Sequence, residues 1–369
     1  MGFHIVKRDN CPLWKRCCFY LLAVLSALAI GAIILLAIGV DPIAYYTRMF
    51  TLGTIGNKIA YKAYINYLKD FVPLVLTSLG LSLAFKMRFW NIGGEGQFIM
   101  GAISASAVAI LLGNTLPSVV VLLLMCIAAM AAAGIYGLVV AALKVKFGTN
   151  ETLLTLMLNY IAIYFLNFLM GTKADWNFFL KPNELRPVPQ KHPEGAMFAT
   201  IPMGGKFELN VCVIFVFIIG ALLYVYLKRT KQGYEINVVG DSIGTARYAG
   251  MKTNRIVLRT VFLSACLIGL AAAFKMGTVG TMSPSITNDV GWTGIIVAWL
   301  AQLNTWAIFV VSALITMLHY GSTVAATTFK QVDASFANML QGFILFLVLA
   351  SDFMIRFRIM RTRKESHNG

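Results

Sequence analysis

The sequence predicts an all-α protein that crosses a membrane about ten times. Of its 369 residues, 59% are apolar and only 12% are charged, whereas a soluble domain carries about 25% charged residues. Several apolar runs approach the roughly 20 residues that a helix needs to cross a bilayer. The chain lacks the polar surface of a soluble protein, so we expect a single transmembrane domain over residues 1–369.

Ten apolar runs form the predicted spans, and an even number returns the chain to the side on which it began. If that side is the cytoplasm, most of the 31 lysines and arginines fall in cytoplasmic segments, as the positive-inside rule requires. We therefore predict cytoplasmic N- and C-termini. The net charge of +16 forms no basic arm or patch, so membrane lipid and not nucleic acid is the expected surrounding. The predicted spans are 18–40, 71–86, 97–113, 117–143, 150–170, 209–227, 257–275, 290–304, 306–328 and 336–355.

Two hydrophilic segments interrupt the apolar runs. The outer segment 171–208 contains KPNELRPVPQKHPEG, whose prolines disfavour a long helix. The inner segment 228–256 contains GYEINVVGDSIGTARYAG, which predicts a short amphipathic helix bounded by glycines. A helix that protrudes from a membrane-buried protein suits the docking of a cytosolic partner. An ordinary solvated loop is the alternative.

Residues 90–97 read WNIGGEGQ and separate the second and third predicted spans. Glycine permits backbone conformations that interrupt a helix, and non-helical backbone at membrane depth must be buried in protein or line a watery cavity. Asn91, Glu95 and Gln97 would be costly if they faced lipid, so we expect them to point into the bundle. They either bond to the freed backbone groups or contact the solute, and both roles stay open.

A second interruption, MGTVGTMSPSITNDVGWTG, joins the seventh and eighth predicted spans on the opposite side of the membrane. Paired interruptions rich in glycine and proline, in corresponding positions of two halves, are typical of transporters built from inverted repeats. The pair therefore favours an inverted repeat with a transport path close to both interruptions.

Polar and aromatic side chains recur inside other spans. Asn159 and Tyr160 lie in the middle of the fifth span, and Trp299 lies in the eighth, seven residues from Trp292 and Trp306. Such groups suit a polar ligand with a flat face, for example a sugar or a nucleoside. Hydrogen bonds between helices and aromatic packing are the alternatives. The candidate residues of the solute path are Asn91, Glu95, Gln97, Asn159, Tyr160 and Trp299.

The sequence offers no pattern for catalysis. The glycines of WNIGGEGQ are not followed by Gly-Lys-Ser/Thr, and a carboxylate stands where a phosphate would need cations. No histidine or cysteine cluster has the spacing of metal ligands, and the spans carry almost no carboxylates that could couple a secondary transporter to ions. We therefore predict a transport subunit that is not an enzyme and holds no cofactor or metal.

Four segments, taken in order, resemble the signatures of one family. They read FKMRFWNIGGEGQFIMGA, GTNETLLTLMLNYIA, GYEINVVGDSIGTARYAGM and MLQGFILFLVLASD. Each is similar to a stretch of the bacterial ABC-importer permeases, above all the simple-sugar/nucleoside uptake branch of the branched-chain amino acid/sugar permease superfamily. The resemblance runs from residue 70 to residue 353. It implies a type II-like permease fold, similar to that of the membrane subunit of the cobalamin importer.

The resemblance also implies the function and the partners of the chain. It would be the membrane-spanning subunit of an ATP-driven importer of nucleosides or simple sugars in a bacterial cell membrane. A cytosolic ATPase subunit would bind the ATP, a second permease would form a heterodimer with this chain, and an extracytoplasmic solute-binding protein would deliver the solute. The alternatives are an ABC permease for branched-chain amino acids or other small polar solutes, and a stand-alone secondary transporter.

The inner segment 228–256 is the part that would dock on the ATPase. Asn237 stands where the family carries a basic residue, and SIGTA replaces a commoner NPxAA, which alters the surface that faces the ATPase. The docking residues carried over by the motif are Glu235, Gly240, Ala246, Arg247 and Gly250.

Overall fold

A computed structural model describes residues 2–7, 12–55, 60–204, 206–333 and 335–362. It confirms an all-α membrane protein, because nine helices in these ranges are long and apolar enough to cross a bilayer. The helices are α1 (Leu13–Ala37), α2 (Pro42–Phe50), α3 (Ala60–Lys86), α4 (Gly94–Leu112), α5 (Ser118–Phe147), α6 (Glu151–Gly171), α7 (Val211–Arg229), α8 (Lys231–Asp241), α9 (Ile243–Tyr248), α10 (Thr253–Val279), α11 (Val290–Leu300), α12 (Thr305–Thr328) and α13 (Phe336–Arg356).

Two short antiparallel strand pairs complete the secondary structure of the described residues. The strand β1 (Gly2–Lys7) pairs with β4 (Phe357–Thr362), and β2 (Thr200–Gly204) forms a hairpin with β3 (Phe207–Asn210). The hairpin begins in the outer segment, which contains no α-helix among its described residues after Gly171, the last residue of α6. Its prolines, at 182, 187, 189, 193 and 202, disfavour a helix there, because proline lacks a backbone N–H and its ring clashes with the preceding turn.

The chain divides into two compact units, of which the larger runs from Ile59 to Thr316. The smaller unit holds the flanking segments, and there α1 packs along α13. Its core centres on Tyr45, whose hydroxyl lies 2.6 Å from Ser322 Oγ. The ring of Tyr45 meets Phe336 edge-on, with centroids 5.3 Å apart. A buried aromatic with a satisfied hydroxyl fits such a core well.

The larger unit is built around α10, which packs against α3, α4 and α5. Small residues allow the helices to approach closely: a Cβ on Gly101 of α4 would lie 2.9 Å from the Cα of Gly269. A Cβ on Gly269 would in turn overlap the carbonyl oxygen of Ala129 in α5. Such contacts between small residues are how membrane helices gain packing energy where lipid removes the hydrophobic drive.

The prediction of a full helical span at 290–304 is wrong. The helix α11 covers only Val290–Leu300, and 11 residues at about 1.5 Å each reach roughly half of a 30 Å bilayer core. The residues before it are not helical, because Asn288 and Asp289 have φ of 47° and 56°. The three tryptophans at seven-residue intervals also fall on two helices, since Trp306 belongs to α12.

Two further boundaries differ from the prediction. The second span begins 11 residues earlier than expected, because α3 runs from Ala60 through Pro73 to Lys86 without a break. The inner segment contains two helices, α8 and α9, separated at Ser242. The side chain of Ser242 accepts a hydrogen bond from the Thr245 N–H at 3.2 Å, which starts the second helix as an N-cap.

Candidate functional site

The break between α3 and α4 is closed by a pair of side-chain amides. Asn91 is fully buried, and its Oδ1 accepts hydrogen bonds from the Gly93 N–H at 3.0 Å and from Gln97 Nε2 at 3.2 Å. Its Nδ2 donates to Gln97 Oε1 at 3.1 Å. The two amides therefore bond to each other, and Asn91 also bonds to the Gly93 N–H, which has no partner within a helix.

The helix α6 braces the same break from the side. Asn159 Oδ1 accepts from the Gly96 N–H at 2.8 Å, and its Nδ2 donates to the Ile92 carbonyl at 2.9 Å. The Ile92 N–H donates to Thr155 Oγ1 at 3.2 Å. Glycine suits position 96 because a Cβ there would lie only 3.1 Å from the Cα of Asn159. Three backbone groups of the break thus find partners on one helix.

Glu95 joins the break to the second interruption. Its Oε2 accepts a hydrogen bond from the Gly291 N–H at 2.8 Å, and the Thr287 side chain and the Trp292 N–H also bond to this carboxylate. Glu95 lies in the first turn of α4, and Gly291 lies in the first turn of α11. A carboxylate is stabilised at a helix N-terminus by the unpaired N–H groups and the helix dipole. Here one carboxylate serves two helix N-termini.

The N-termini of α4 and α11 meet beside the apolar part of α3. Leu81 packs on both helices, because a Cβ added to Gly94 or to Gly294 would lie 3.3 Å from a Leu81 Cδ atom. Leu81 is 11 residues, about 16 Å, along α3 from Asp70, whose carboxylate pairs with Lys275. From the junction, α4 runs to Gly113 beside Pro193 of the outer segment. The other helix, α11, runs the opposite way, to the Phe85 end of α3. Two helices that start at one point and run in opposite directions favour the inverted repeat.

The structure separates the six candidate solute-path residues into two groups. Asn91, Glu95, Gln97 and Asn159 form the buried network, in which protein groups satisfy each side chain. Tyr160 is 47% exposed on the other side of α6. Trp299 lies at the far end of α11, where its ring stacks on Trp90 with centroids 5.3 Å apart. The network can hold the break in one shape, whereas Tyr160 remains free to meet another molecule.

The five candidate docking residues also have different surroundings. Glu235 pairs with Arg259 of α10 at 3.0 Å, and Ala246 is fully buried. A Cβ on Gly240 would overlap the carbonyl oxygen of Lys86, the last residue of α3. These three residues therefore seat α8 and α9 on the membrane helices. Arg247 and Gly250 are exposed beside Tyr248, whose side chain is 96% exposed.

Several residues of this region carried no signal in the sequence. Thr155 reads as an ordinary hydroxyl in a span, although it bonds to the break. His192 reads as a loop residue, yet it is buried and its Nε2 lies 2.8 Å from Ser106 Oγ. The His192 N–H also donates to the Gly280 carbonyl at 2.8 Å, which ties the outer segment to the start of the second interruption. Burial lowers the pKa of His192 to about 4, and the Met276 carbonyl acts weakly in the opposite direction.

Comparison with known proteins identifies a family for most of the chain. Residues 63–349 match the family described as branched-chain amino acid transport system, permease component. The chain is 27% identical over 361 residues to a glucose ABC transporter permease of Haloferax volcanii, covering 95% of this chain and 92% of that protein. It is 27% identical over 307 residues to a nucleoside ABC transporter permease of Lactococcus lactis, covering 82% of each.

A third relative is a guanosine ABC transporter permease of Bacillus subtilis, 26% identical over 363 residues, or 94% of this chain and 97% of that protein. No solved structure matches the chain. The likeness to the cobalamin importer therefore stays a prediction.

We predict that Glu95→Ala lowers solute uptake about tenfold or more while the chain still folds. The variant leaves the buried Gly291 N–H without its acceptor, which costs about 2 kcal/mol and loosens the junction of α4 and α11. Uptake by cells and size-exclusion chromatography in detergent measure the two effects. Ser104→Ala on the same helix is the control, because Ser104 bonds only to its own helix at Met100. Equal uptake by the two variants would remove Glu95 from the mechanism.

We predict that the folded state loses stability as the pH falls from 6.5 towards 4. The folded-state pKa of His192 is depressed, so its contribution is complete above the unfolded pKa of about 6.5 and decreases below it, by on the order of 3 kcal/mol in total. Thermal unfolding in detergent at pH 7, 6 and 5 measures this slope. His192→Gln keeps a partner for Ser106 and should flatten the slope. A slope as steep as that of the unsubstituted chain would contradict the assignment.

Proposed function

The chain belongs to the permease-component family of branched-chain amino acid transport systems, and on this premise we propose that it is the membrane-spanning subunit of an ATP-driven importer of nucleosides or simple sugars. In this proposal the chain forms the solute path, and it carries out no covalent chemistry. A cytosolic ATPase subunit binds and hydrolyses the ATP. A second permease forms a heterodimer with this chain, and a solute-binding protein outside a bacterial cell membrane delivers the solute.

The observation that carries the proposal is the seat of α8 and α9. Gly240 lies directly against the carbonyl of Lys86, and the break begins immediately after that residue. Arg88 follows with a φ of 57°, a left-handed conformation that is uncommon for a residue other than glycine and is found at functional sites. A displacement of α8 would therefore move the end of α3 and, with it, the break. This connection suits a transporter driven by a cytosolic motor.

The exposed side of α8 and α9 suits the docking of that motor. Tyr234 and Ile243 are 62% and 52% exposed, and Tyr248 is almost fully exposed between Arg247 and Gly250. Exposed aromatic residues with a neighbouring arginine are the residue types that most often anchor protein interfaces. With this surface in the cytoplasm, the outer segment 171–208 lies on the opposite side and meets the solute-binding protein.

Both termini lie in the cytoplasm in this proposal. The residues from Thr281 to Leu300 cross the membrane as a series of turns followed by α11, so they replace the missing full-length helix and ten crossings remain. The basic segments then keep the cytoplasmic placement that the positive-inside rule favours.

The solute class rests on the relatives, whose names specify glucose, nucleosides and guanosine. Uptake of labelled guanosine, uridine, glucose, ribose and leucine tests it, in cells with and without the gene for the chain. We expect the cells without the gene to lose the ATP-dependent uptake of nucleosides or sugars. Loss of leucine uptake alone would support the branched-chain amino acid alternative, and ATP-independent uptake would support a secondary transporter.

We predict that Gly250→Val lowers uptake about tenfold while the chain still folds. Gly250 has a φ of 72° with open space around it, so valine strains the backbone there by about 1–3 kcal/mol without a clash. The strain falls where α9 meets the ATPase and should separate ATP hydrolysis from uptake. Gly148→Val is the matched control, since Gly148 has a φ of 67° and equally open surroundings outside α8 and α9. Equal coupling in both variants would argue against the docking assignment.

A further inference from the structure

The exposed face of α6 carries polar groups. Tyr160 and Tyr164 are 47% and 69% exposed, and Asn167 is also exposed. Their spacing of four and three residues places them on one side of the helix. Asn159, which braces the break, lies on an adjacent, buried face, about 100° around the helix from Tyr160. We call Tyr160, Tyr164 and Asn167 the polar stripe.

The exposed faces of two comparable spans are apolar. In α5 the exposed side chains of the central part are Leu123, Ile127, Ile135 and Val139. In α7 they include Phe217, Ile218 and Leu222. Faces of this composition suit contact with lipid tails. The exposed face of α6 also carries Leu153, Met157 and Ile161, but the polar stripe distinguishes it from the faces of α5 and α7.

The position of Tyr160 excludes the usual explanation for an exposed membrane tyrosine. Tyrosines gather at the two ends of a span, where the ring meets lipid and the hydroxyl meets water. Tyr160 lies nine residues from Glu151 and 11 from Gly171, at the centre of α6. At the inner end Glu151 pairs with Lys144, and at the outer end the Leu169 carbonyl accepts from Asn177 Nδ2 at 2.6 Å. A phenol at the centre of such a helix would have no partner in lipid, which is costly.

We propose that the polar stripe lines a water-filled solute path and binds the solute through ring stacking on the tyrosines and hydrogen bonds to Asn167. The ligand class is a solute with a flat ring face and several hydroxyls, as in a nucleoside or a pyranose. Aromatic rings bind such faces, and an amide both donates to and accepts from hydroxyls. This inference rests on the proposed function, because it names the contact surface of that importer.

The stripe continues towards the outer segment. Phe168, one residue beyond Asn167, stacks on Trp176 with ring centroids 5.9 Å apart and planes 22° apart. Trp176 belongs to the outer segment and is 55% exposed. An aromatic and polar surface therefore runs from the centre of α6 to the side at which solute arrives. Because Asn159 is the neighbour of Tyr160, any turn of α6 that changes the solute contact also pulls on the break.

Thiol labelling tests the water-filled path. Tyr160→Cys and Tyr164→Cys are labelled with a membrane-impermeant methanethiosulfonate reagent, in membranes of cells that contain the complete importer. The matched control is Ile135→Cys, because Ile135 is 60% exposed at the centre of α5. We expect labelling of both α6 variants at least tenfold faster than that of the control and of the unsubstituted chain. Labelling as slow as the control means that the stripe faces lipid or is packed against the second permease, and overturns the proposal.

Protection and kinetics test the binding role. We expect millimolar guanosine or glucose to slow the labelling of Tyr164→Cys at least threefold, and Asn167→Ala to raise the KM for uptake about tenfold with a smaller change in kcat. Rapid labelling with no protection by the transported solute, together with an unchanged KM, overturns the binding role.

The two hypotheses fail in different ways. If the unsubstituted chain takes up neither nucleosides nor sugars, the proposed function fails, whatever the labelling shows. If uptake occurs and the α6 cysteines stay unreactive, only the assignment of the polar stripe fails.

Discussion

The arrangement of the larger unit depends on satisfying two helix N-termini in the middle of a membrane protein. Where α4 and α11 begin, their free N–H groups and like dipole ends face each other, and no water is available to separate them. The Glu95 side chain accepts a hydrogen bond from the Gly291 N–H at this point. The approach is so close that a Cβ on Gly291 would overlap the backbone of Glu95. Glycine and a buried acid at this junction are therefore parts of one solution.

The sequence predicted the class of the protein and the location of the break, because apolar runs and glycine clusters act locally. It did not predict that the interruption before α11 reaches the break, since Glu95 and Gly291 lie 196 residues apart and no local pattern pairs them. Hydropathy also suggested a full span at 290–304, because α11 is highly apolar. The helix begins only after Asn288 and Asp289, which have left-handed backbone conformations. The apolar content of the segment does not reveal these conformations.

The candidate residues were chosen for being polar within spans, and this criterion mixes two roles. Asn159 and Tyr160 are adjacent in sequence, but their side chains point in directions about 100° apart around α6. One faces protein and holds the break, and the other faces outwards. Burial separates them, and burial depends on tertiary packing. The same holds for Glu235, whose partner Arg259 lies on another helix.

The short helix α11 has a consequence for how the protein enters the membrane during synthesis. A helix needs about 20 apolar residues to cross a bilayer, and the non-helical residues before α11 must be buried in protein or line a watery cavity. This segment therefore needs to pack against helices that are already in the membrane. Since α4 is synthesised before α11, Glu95 has no bond to Gly291 until α11 has also been synthesised. The hydrogen bond between Gly291 and Glu95 can therefore form only after most of the larger unit has been synthesised.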